Sequence, residues 1–291
     1  MANVLELRDV FYEYDPKTPF ATAALNGIDL GFREGCITGV IGHTGSGKST
    51  LVKLLNGLAR PTAGEVLLDG RNIWEKPKEI TAVRFAVGLV MQYPEYQLFD
   101  ATVRADIAFG PKNMGLSADE IAARVAEAAA FVGLDDDLLD KSPFDLSGGQ
   151  RRRVAIAGVI AMKPRVLILD EPAAGLDPRG RREILSGLWE YGKKSGTTLI
   201  LVSHSMEDMA MYCDRAIVMS HAKVVTSGTC EQVFSQHKLL LDVGLDVPEI
   251  TGIILALREK GVDIPDNIYT VDGAVNAIKS QYLSTKNGRG V

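Results

Sequence analysis

Short apolar segments along the first 230 residues of the 291-residue chain fall into two patterns. Near the amino terminus, residues 4–7 and 25–32 mix apolar and polar positions around a loop rich in Pro and Thr, which indicates a small antiparallel sheet. Further on, the apolar runs are continuous, as is typical of parallel strands covered on both faces. These buried strands are predicted at residues 36–41, 87–91, 166–169 and 198–202. The pattern therefore indicates an α/β protein with a mostly parallel core sheet.

Helical periodicity appears between these strands. Residues 117–132 repeat alanine and apolar residues at helical spacing, with Asp119 and Glu120 in the first turn, where the helix dipole favours acids. This segment belongs to a predicted helical subdomain at about residues 93–160. A further helix is predicted at residues 181–194, between the last two buried strands.

The pattern changes after residue 230. Two short amphipathic helices are predicted at residues 248–260 and 272–282, followed by a frayed tail at 286–291. We therefore predict an α/β domain at residues 1–230 and a small helical extension at residues 231–291.

A glycine-rich segment lies between the first buried strand and the next predicted helix. It matches the phosphate-binding P-loop pattern G-x-x-x-x-G-K-[ST] in the strand–loop–helix context that the pattern requires. Its glycines let the backbone turn successive N–H groups inward, and the following helix aims its positive dipole end at the same point. Lys48 is expected to reach the β- and γ-phosphates of a nucleoside triphosphate, and the Ser49 hydroxyl to bind Mg²⁺. The nucleotide-binding residues predicted in this phosphate-binding loop are Gly42, His43, Thr44, Gly45, Ser46, Gly47, Lys48, Ser49 and Thr50.

Two acids follow the buried strand at residues 166–169. Asp170 is expected to lie beside Ser49, where a carboxylate can hold Mg²⁺ through water. Glu171 is placed to polarise an attacking water as a general base. Adjacent acids after a strand otherwise indicate a solvated loop, but the phosphate-binding loop favours the functional interpretation. The sequence therefore predicts hydrolysis of a nucleoside triphosphate.

A second glycine pair begins a predicted helix in the sequence Leu-Ser-Gly-Gly-Gln at residues 146–150, which we call the signature segment. Its serine can donate a hydrogen bond or cap the helix, and its glycines expose N–H groups at the helix start. With this pentapeptide the chain resembles the ATP-binding-cassette (ABC) ATPases. The resemblance implies a P-loop ABC ATPase fold and two subunits packed head to tail. Each ATP would then lie between one subunit's phosphate-binding loop and the other subunit's Ser147, Gly148, Gly149 and Gln150.

The resemblance implies roles for three further residues. Gln92 follows the strand at 87–91 and matches the family's glutamine loop, which implies contact with Mg²⁺ or water and coupling to a partner. His204 follows the strand at 198–202, at the carboxyl edge where ligands of parallel sheets gather. The matching family residue contacts the γ-phosphate and helps to order the general base and the water. Asp177 matches a loop that crosses the interface between the two subunits.

One aromatic residue is expected to stack on the adenine ring. Tyr14 is our choice and Tyr12 remains the alternative, because either ring could belong to simple sheet packing. The rings of His43, His221 and His237 are expected to be structural, although His43 also belongs to the phosphate-binding loop by position.

Residues 92–113 narrow the resemblance. The sequences Gln-Tyr-Pro-Glu-Tyr-Gln-Leu-Phe at 92–99 and Ala-Phe-Gly-Pro-Lys-Asn at 108–113 are similar to the ATPases of energy-coupling factor (ECF) transporters, which import vitamins and metal ions in prokaryotes. His43 and the C-terminal extension resemble the second of the two paired ECF ATPases. The resemblance favours a heterodimer with a related ATPase over a homodimer, and it implies that the extension adds to their contact.

The ECF resemblance also implies partners in the membrane. These are a transmembrane coupling protein and, indirectly, a substrate-binding membrane protein, so the chain is expected to lie peripherally on the cytoplasmic face of a prokaryotic cell membrane. The segment around Leu98 and Phe99 also carries Glu95, Asp100 and Asp106. This mixture suits a groove that receives a basic amphipathic helix.

Composition limits the other classes of partner. The formal net charge is −5 and no dense block of Lys and Arg appears, so nucleic acid is not an expected partner. The three arginines at 151–153 are expected to pair with acids and neighbouring loops. Cys36, Cys213 and Cys230 lack metal-ligand spacing and indicate free thiols. No apolar stretch approaches the roughly 18 residues of a membrane-spanning helix.

The favoured hypothesis is an ATP-hydrolysing subunit that powers an ECF importer of vitamins or other micronutrients, with ATP and Mg²⁺ as cofactors. The nearest alternative is the ATPase of a conventional ABC importer or exporter. A soluble ABC ATPase acting on nucleic acid or ribosomes is a second alternative. A regulatory subunit without turnover is a third, and it would predict a degenerate Glu171 or His204, whereas both are present.

Overall fold

The computed structural model describes residues 2–287, so residues 288–291 of the predicted frayed tail lie outside the described residues. The strands are β1 (Asn3–Tyr14), β2 (Thr22–Arg33), β3 (Ile37–Ile41), β4 (Ala63–Leu68), β5 (Arg71–Asn72), β6 (Val87–Val90), β7 (Val166–Asp170), β8 (Thr198–Val202), β9 (Arg215–Ser220) and β10 (Lys223–Thr229). The helices are α1 (Lys48–Leu55), α2 (Ile80–Ala86), α3 (Val103–Asn113), α4 (Ala118–Phe131), α5 (Gly148–Ile160), α6 (Pro178–Ser195), α7 (Met206–Tyr212), α8 (Cys230–Phe234), α9 (His237–Asp242), α10 (Glu249–Glu259) and α11 (Val271–Asn287).

The core sheet has six strands within the described residues, in the order β10–β9–β3–β8–β7–β6. The strands from β9 to β6 are parallel, and β10 pairs antiparallel at the edge. Alternate side chains of β3 enter different cores, because Ile37 and Ile41 pack with the helical layer and Val40 packs with α1. Burial on both faces explains the continuous apolar runs. The predicted mostly parallel core sheet is confirmed.

A second sheet covers α1. It has the order β2–β1–β4–β5, and its paired strands are antiparallel. Its buried side chains, such as Leu5 and Phe32, share one hydrophobic cluster with Leu51 and Leu54 of α1. The predicted antiparallel sheet is therefore confirmed, and α1 lies between the two sheets.

Helices α3, α4 and α5 pack against one another and join the core on the other face of the sheet. Ser117 begins α4 with a capping box, in which its hydroxyl accepts from the Glu120 N–H and its own N–H donates to the Glu120 carboxylate. The acidic first turn predicted for this helix therefore satisfies backbone donors that would otherwise lack partners.

The helices after β10 pack in two groups. Val233, Phe234 and Leu240 of α8 and α9 belong to the main core, whereas Ile254 of α10 and Ala274 of α11 share a small separate cluster. Helix α10 begins one residue after Pro248, and α11 is longer than predicted. None of the helices between residues 2 and 287 combines the length and apolarity needed to cross a lipid bilayer.

Candidate nucleotide-binding site

The phosphate-binding loop connects β3 to α1 and requires glycine at two tight approaches. A Cβ on Gly42 would lie 2.4 Å from the Met219 carbonyl oxygen, and one on Gly47 would lie 2.5 Å from the Ala24 carbonyl oxygen. Gly47 also has φ +105°, a conformation that L side chains rarely adopt. No side chain of residues 2–287 caps the start of α1, so its first N–H groups face the loop as free donors.

Lys48 lies across this loop. Its Nζ donates to the carbonyl oxygens of Gly42 at 2.6 Å and His43 at 3.0 Å. Burial lowers the pKa of Lys48, while the charges of Glu171 and Asp170 act in the opposite direction. A half-buried ammonium beside two acids and a row of backbone donors suits a polyanion that carries its own cation.

Asp170 ends β7 close to the side chain of Ser49, whose hydroxyl acts to lower the pKa of this carboxyl. Burial raises the pKa of Asp170, and the neighbouring charge of Glu171 raises it further, against the lowering effect of Lys48. Among the described residues, the buried hydroxyl of Ser46 also lacks a hydrogen-bond partner. A hydroxyl and a carboxylate are hard oxygen ligands, and a cation would reverse the unfavourable charge on Asp170. These residues therefore fit Mg²⁺.

Glu171 and His204 form a pair at the carboxyl edge of the core sheet. His204 Nδ1 lies 2.9 Å from Glu171 Oε1. The carboxylate is 15% exposed and the imidazole 73% exposed, so the pair faces solvent through the histidine. Glu171 has φ +50° and donates its N–H to the Val202 carbonyl, which turns its side chain out of line with β7. Such a conformation costs free energy, and strained backbone of this kind often occurs at functional sites.

A cavity of about 220 Å³ joins this pair to Gln92. Its lining also includes Tyr93, Ser203 and Asp208. Gln92 reaches it from the end of β6, Glu171 from β7 and His204 from β8, because three neighbouring parallel strands end at one edge. The structure thus brings together the three residues that the sequence predicts for catalysis.

Tyr14 lies beside α1, with its hydroxyl 3.1 Å from Thr50 Oγ1. The ring is 40% exposed and packs edge-on against Tyr12, with the ring centroids 5.0 Å apart. Tyr12 is half-buried against the core beneath the antiparallel sheet. The geometry favours Tyr14 as the ring available to a base.

The signature segment lies at the exposed start of α5, and none of the described hydrogen bonds connects it to the phosphate-binding loop. Ser147 and Gln150 form a capping box, with the Ser147 N–H donating at 3.0 Å and its hydroxyl accepting at 3.3 Å. A Cβ on Gly148 or Gly149 would meet no atom of residues 2–287 within 4 Å. Asp177 caps α6 by accepting from the Gly180 N–H at 3.1 Å.

Arg152 is a site residue whose specific role the sequence did not reveal. It is 3% exposed, and its guanidinium pairs with the Glu95 carboxylate at 2.7 and 3.0 Å. It also donates to the carbonyl oxygen of Ala174 at 2.6 Å. Arg152 therefore connects α5 to the loop after Glu171 and to the segment after Gln92. Arg153 pairs with Glu183, so the expectation that these arginines bind acids and loops is confirmed for Arg152 and Arg153. It is not confirmed for Arg151, whose buried Nε has no hydrogen-bond partner among the described residues.

A second ion pair was also missed. Arg181 of α6 donates three hydrogen bonds of 2.5–3.2 Å to the Asp208 carboxylate of α7, and the pair raises the pKa of Arg181. Both residues line the cavity of Glu171 and His204. Their wide separation in sequence gave no signal that they would meet.

The acids predicted for a membrane partner are mostly turned inward, so that part of the prediction is wrong. Glu95 pairs with Arg152, and Asp106 accepts from the N–H groups of Phe99 and Asp100. The exposed surface is aromatic instead, because the chain turns Leu98 inward and leaves the neighbouring rings outside. This aromatic surface consists of Tyr93, Tyr96, Phe99 and Phe109, which are 41%, 82%, 60% and 47% exposed.

Comparisons with known proteins agree with this geometry. The family model for ABC transporters matches residues 25–174. The chain is 50% identical to the energy-coupling factor transporter ATP-binding protein EcfA2 of Clostridium perfringens, over 94% of this chain and 96% of that protein. It is 51% identical to the protein of the same name from Symbiobacterium thermophilum, over 95% and 96% of the two chains.

The chain belongs to the energy-coupling factor transporter ATP-binding proteins, within the ABC ATPases. Among solved structures, this ECF ATPase superposes on cbiO1 from Clostridium perfringens, described as part of the ABC transporter complex cbiONQ, with a TM-score of 0.74 and 39% identity. That match covers 87% of this chain and 99% of cbiO1. It also matches a dimeric structure of the ATP-binding cassette MJ0796 bound to ADP and Pi, with a TM-score of 0.70, 26% identity and coverage of 78% and 98%. The ABC ATPase fold and the family resemblance are confirmed.

Proposed function

We propose that this ECF ATPase binds ATP with Mg²⁺, closes on a second ATPase subunit and hydrolyses the nucleotide to drive a membrane importer. The Glu171–His204 contact carries the hydrolytic part of the proposal. It places a carboxylate base and an imidazole together, beside Asp170 and the phosphate-binding loop.

Each residue at this edge has a distinct chemical task. The loop N–H groups and Lys48 bind the phosphates, and Ser49 with Asp170 would hold Mg²⁺, which neutralises phosphate charge when bound. Glu171 takes the proton of the attacking water as general base. His204 donates from Nδ1 to the Glu171 carboxylate, and a proton on its other ring nitrogen would let it donate to the γ-phosphate as well. Gln92 lines the same cavity and orients the water.

The signature segment is proposed to complete the site of a second subunit. Its exposed glycines allow a phosphate to approach the start of α5 closely. With the γ-phosphate held between opposing helix starts, ATP binds the closed pair better than the open pair, which is the differential affinity that a switch requires. Asp177, exposed at the start of α6, would lie at the same interface.

The aromatic surface is proposed to contact the transmembrane coupling protein. Phe99 and Phe109 stack edge-on at 4.9 Å between centroids, and both remain exposed in the chain. Clustered exposed aromatic rings are typical of interaction sites. Arg152 connects this surface to the loop after Glu171 and so offers a route for coupling.

The C-terminal extension is proposed to enlarge the contact between the two ATPases. A groove of about 570 Å³ lies between α7 and the extension. Exposed apolar side chains line it, including Met211 at 65%, Ile253 at 49% and Val271 at 65%. Their burial against a second subunit is favourable by roughly 25 cal/mol per Å² of apolar area.

We further propose a vitamin or another micronutrient as cargo, recognised by a separate membrane protein, and a peripheral position on the cytoplasmic face of the membrane. The related ATPase that completes the pair is proposed to be a paralogue.

The test is recovery of tagged protein from its native membranes, followed by an ATPase assay. We expect a second ATPase and a small multi-spanning protein to be recovered, with activity lost in Glu171→Gln. Two surface variants separate the contacts. Phe99→Ala with Phe109→Ala should lose the membrane protein but keep the second ATPase, whereas Ile253→Asp should weaken recovery of the ATPase. Recovery of a homodimer alone would contradict the proposed pairing with a second ATPase and the proposed membrane contact.

A further inference from the structure

The phosphate-binding loop contacts the turn between β9 and β10 through two histidines. Strands β3 and β9 are parallel neighbours with Ile41 opposite Val218. Two residues beyond this pair, in the direction of both strands, the register brings His43 beside Ser220. The His43 ring also packs edge-on against His221, with centroids 5.4 Å apart. Register therefore explains why the two rings meet, although the sequence indicated only separate structural histidines.

Hydrogen bonds in this cluster run in one direction. His43 Nδ1 lies 2.8 Å from the Thr44 carbonyl oxygen, which can only accept, so Nδ1 carries the proton. In the neutral ring, His43 Nε2 then accepts from the Ser220 hydroxyl at 3.2 Å. The Ser220 oxygen in turn accepts from His221 Nδ1 at 2.8 Å. A chain of three hydrogen bonds thus leads from the turn to the backbone of the loop.

The last bond of this chain restrains one peptide group. Lys48 already holds the carbonyl oxygens of Gly42 and His43, and the His43 ring holds the next one, at Thr44. The Thr44 carbonyl and the Gly45 N–H belong to the same peptide plane. Gly45 has φ +82°, and a Cβ on it would meet no atom of residues 2–287 within 4 Å. The His43 ring therefore restrains this plane, beside a glycine with open space at its Cβ position.

We propose that Ser220 and His221 are positioning residues for nucleotide binding. They hold the His43 ring, the ring holds the Thr44 carbonyl, and the Gly45 N–H is thereby kept in the orientation that a phosphate requires. Ser220 is 4% exposed, so its hydroxyl is shielded from competing water. The inference rests on the proposed ATP site and adds to it a second element, 177 residues after His43 in sequence, that sets the shape of the loop.

The loop N–H groups bind phosphates that ADP and ATP share, which gives the proposal a specific signature. Ser220→Ala should weaken the binding of both nucleotides alike, by about two- to tenfold, the effect of one lost hydrogen bond. KM for ATP should rise by the same factor with kcat nearly unchanged, because the interaction is equal in ground and transition states. Ser220→Thr, which keeps the hydroxyl, should bind nearly as wild type. Ser227→Ala, an exposed serine on the same hairpin, is the control.

His221 supplies an independent pair of variants at an exposed position, so that the test does not depend on a buried substitution. Its φ is +49°, which both glycine and asparagine accept. His221→Gly removes the donor and should weaken both nucleotides, whereas His221→Asn places an amide N–H near the position of Nδ1 and should restore binding. The thermal unfolding temperatures of the nucleotide-free variants should not follow the order of their nucleotide affinities.

Isothermal titration with ADP and with a non-hydrolysable ATP analogue measures all five proteins against wild type. Unchanged affinities in Ser220→Ala and His221→Gly would overturn the inference, and so would a loss confined to the ATP analogue. If wild type bound neither nucleotide, the proposed function would fail and the inference with it. Wild-type binding with unaffected variants would remove the inference alone.

Discussion

The starts of α1 and α5 both present backbone N–H groups in glycine-rich segments, but they satisfy them differently. At α1 the N-cap is Gly47 in a left-handed conformation, and no side chain among the described residues accepts from the helix start. At α5 the N-cap is Ser147. Its hydroxyl accepts from the Gln150 N–H, and its own N–H donates to the Gln150 side chain. The first site depends on a ligand for its hydrogen bonds, whereas the second is stable in water without one.

The surroundings of the two helix starts differ in the same sense. The phosphate-binding loop has Lys48 and Asp170 half-buried beside it, with pKa values shifted mainly by burial. The signature glycines are exposed and meet no neighbouring group of residues 2–287. One chain therefore assembles the charged half of a nucleotide site at a cost in stability and presents the other half ready for a second chain.

Among the changes that test this contrast, removal of the general base should have the largest effect on ATP turnover. Glu171→Gln keeps the shape of the side chain but cannot accept the proton of water, so we expect ATP turnover to fall by about 10²–10⁴. ATP binding and closure should persist, because the loop and the signature segment are unchanged. Steady-state phosphate release and ATP-dependent dimerisation measure the two properties. Lys48→Ala is the contrast, since it should weaken ATP binding itself, and wild-type turnover in Glu171→Gln would refute the assignment.

A negative charge at the signature segment should prevent ATP-driven dimerisation without affecting the phosphate-binding loop. Gly148→Asp has room for its side chain, and an acid in the first turn favours the helix, so the fold should be retained. The added carboxylate would face the γ-phosphate of the other subunit, where like charges cost several kcal/mol. We expect ATP binding by the single chain to be unchanged and ATP-driven dimerisation to be lost. Gly187→Asp, which also has open space in the middle of α6, should dimerise normally.

The sequence predicted the strands of the core sheet and the residues at their ends, because burial on both faces leaves continuous apolar runs and parallel strands end at one edge. It did not predict Arg152–Glu95 or Arg181–Asp208, because contacts between distant segments leave no local periodic pattern. The same limit applies to His43 and Ser220. The prediction that Glu95 and Asp106 face a membrane partner was wrong, because the presence of acids in a segment does not show which way their side chains point.

Breaking the ion pair between Arg152 and Glu95 should destabilise the contact between α5 and the segment after Gln92. Burial alone would raise the pKa of Glu95, but its hydrogen bond to Arg152 and the arginine charge outweigh it and lower the pKa. Glu95→Gln leaves the buried guanidinium without a counter-charge, and we expect the free energy of unfolding to fall by about 3 kcal/mol. Chemical denaturation measures this. Asp140→Asn, which breaks the exposed pair with Arg104, should show no measurable change, and equal effects in the two variants would contradict the buried role of Glu95.

Neutralising Asp170 should have the smallest effect and the opposite sign. Its pKa is raised in the folded protein, so the folded state holds the proton at pH values where the unfolded chain has lost it. Stability therefore falls as pH rises through the interval between the ordinary and the raised pKa. Asp170→Asn removes this cost, and we expect the free energy of unfolding at neutral pH to rise by about 0.5–2 kcal/mol.

Thermal unfolding without nucleotide and Mg²⁺, repeated from acid to neutral pH, measures the difference between Asp170→Asn and wild type. The advantage of the variant should grow with pH, since other acids cancel in the difference. With Mg²⁺ and ATP the order should reverse, because a bound cation favours the carboxylate over the amide. A variant less stable than wild type at neutral pH without ligand would show that the charge at the phosphate-binding loop is satisfied within the chain. The contrast between the two helix starts would then lose its energetic basis.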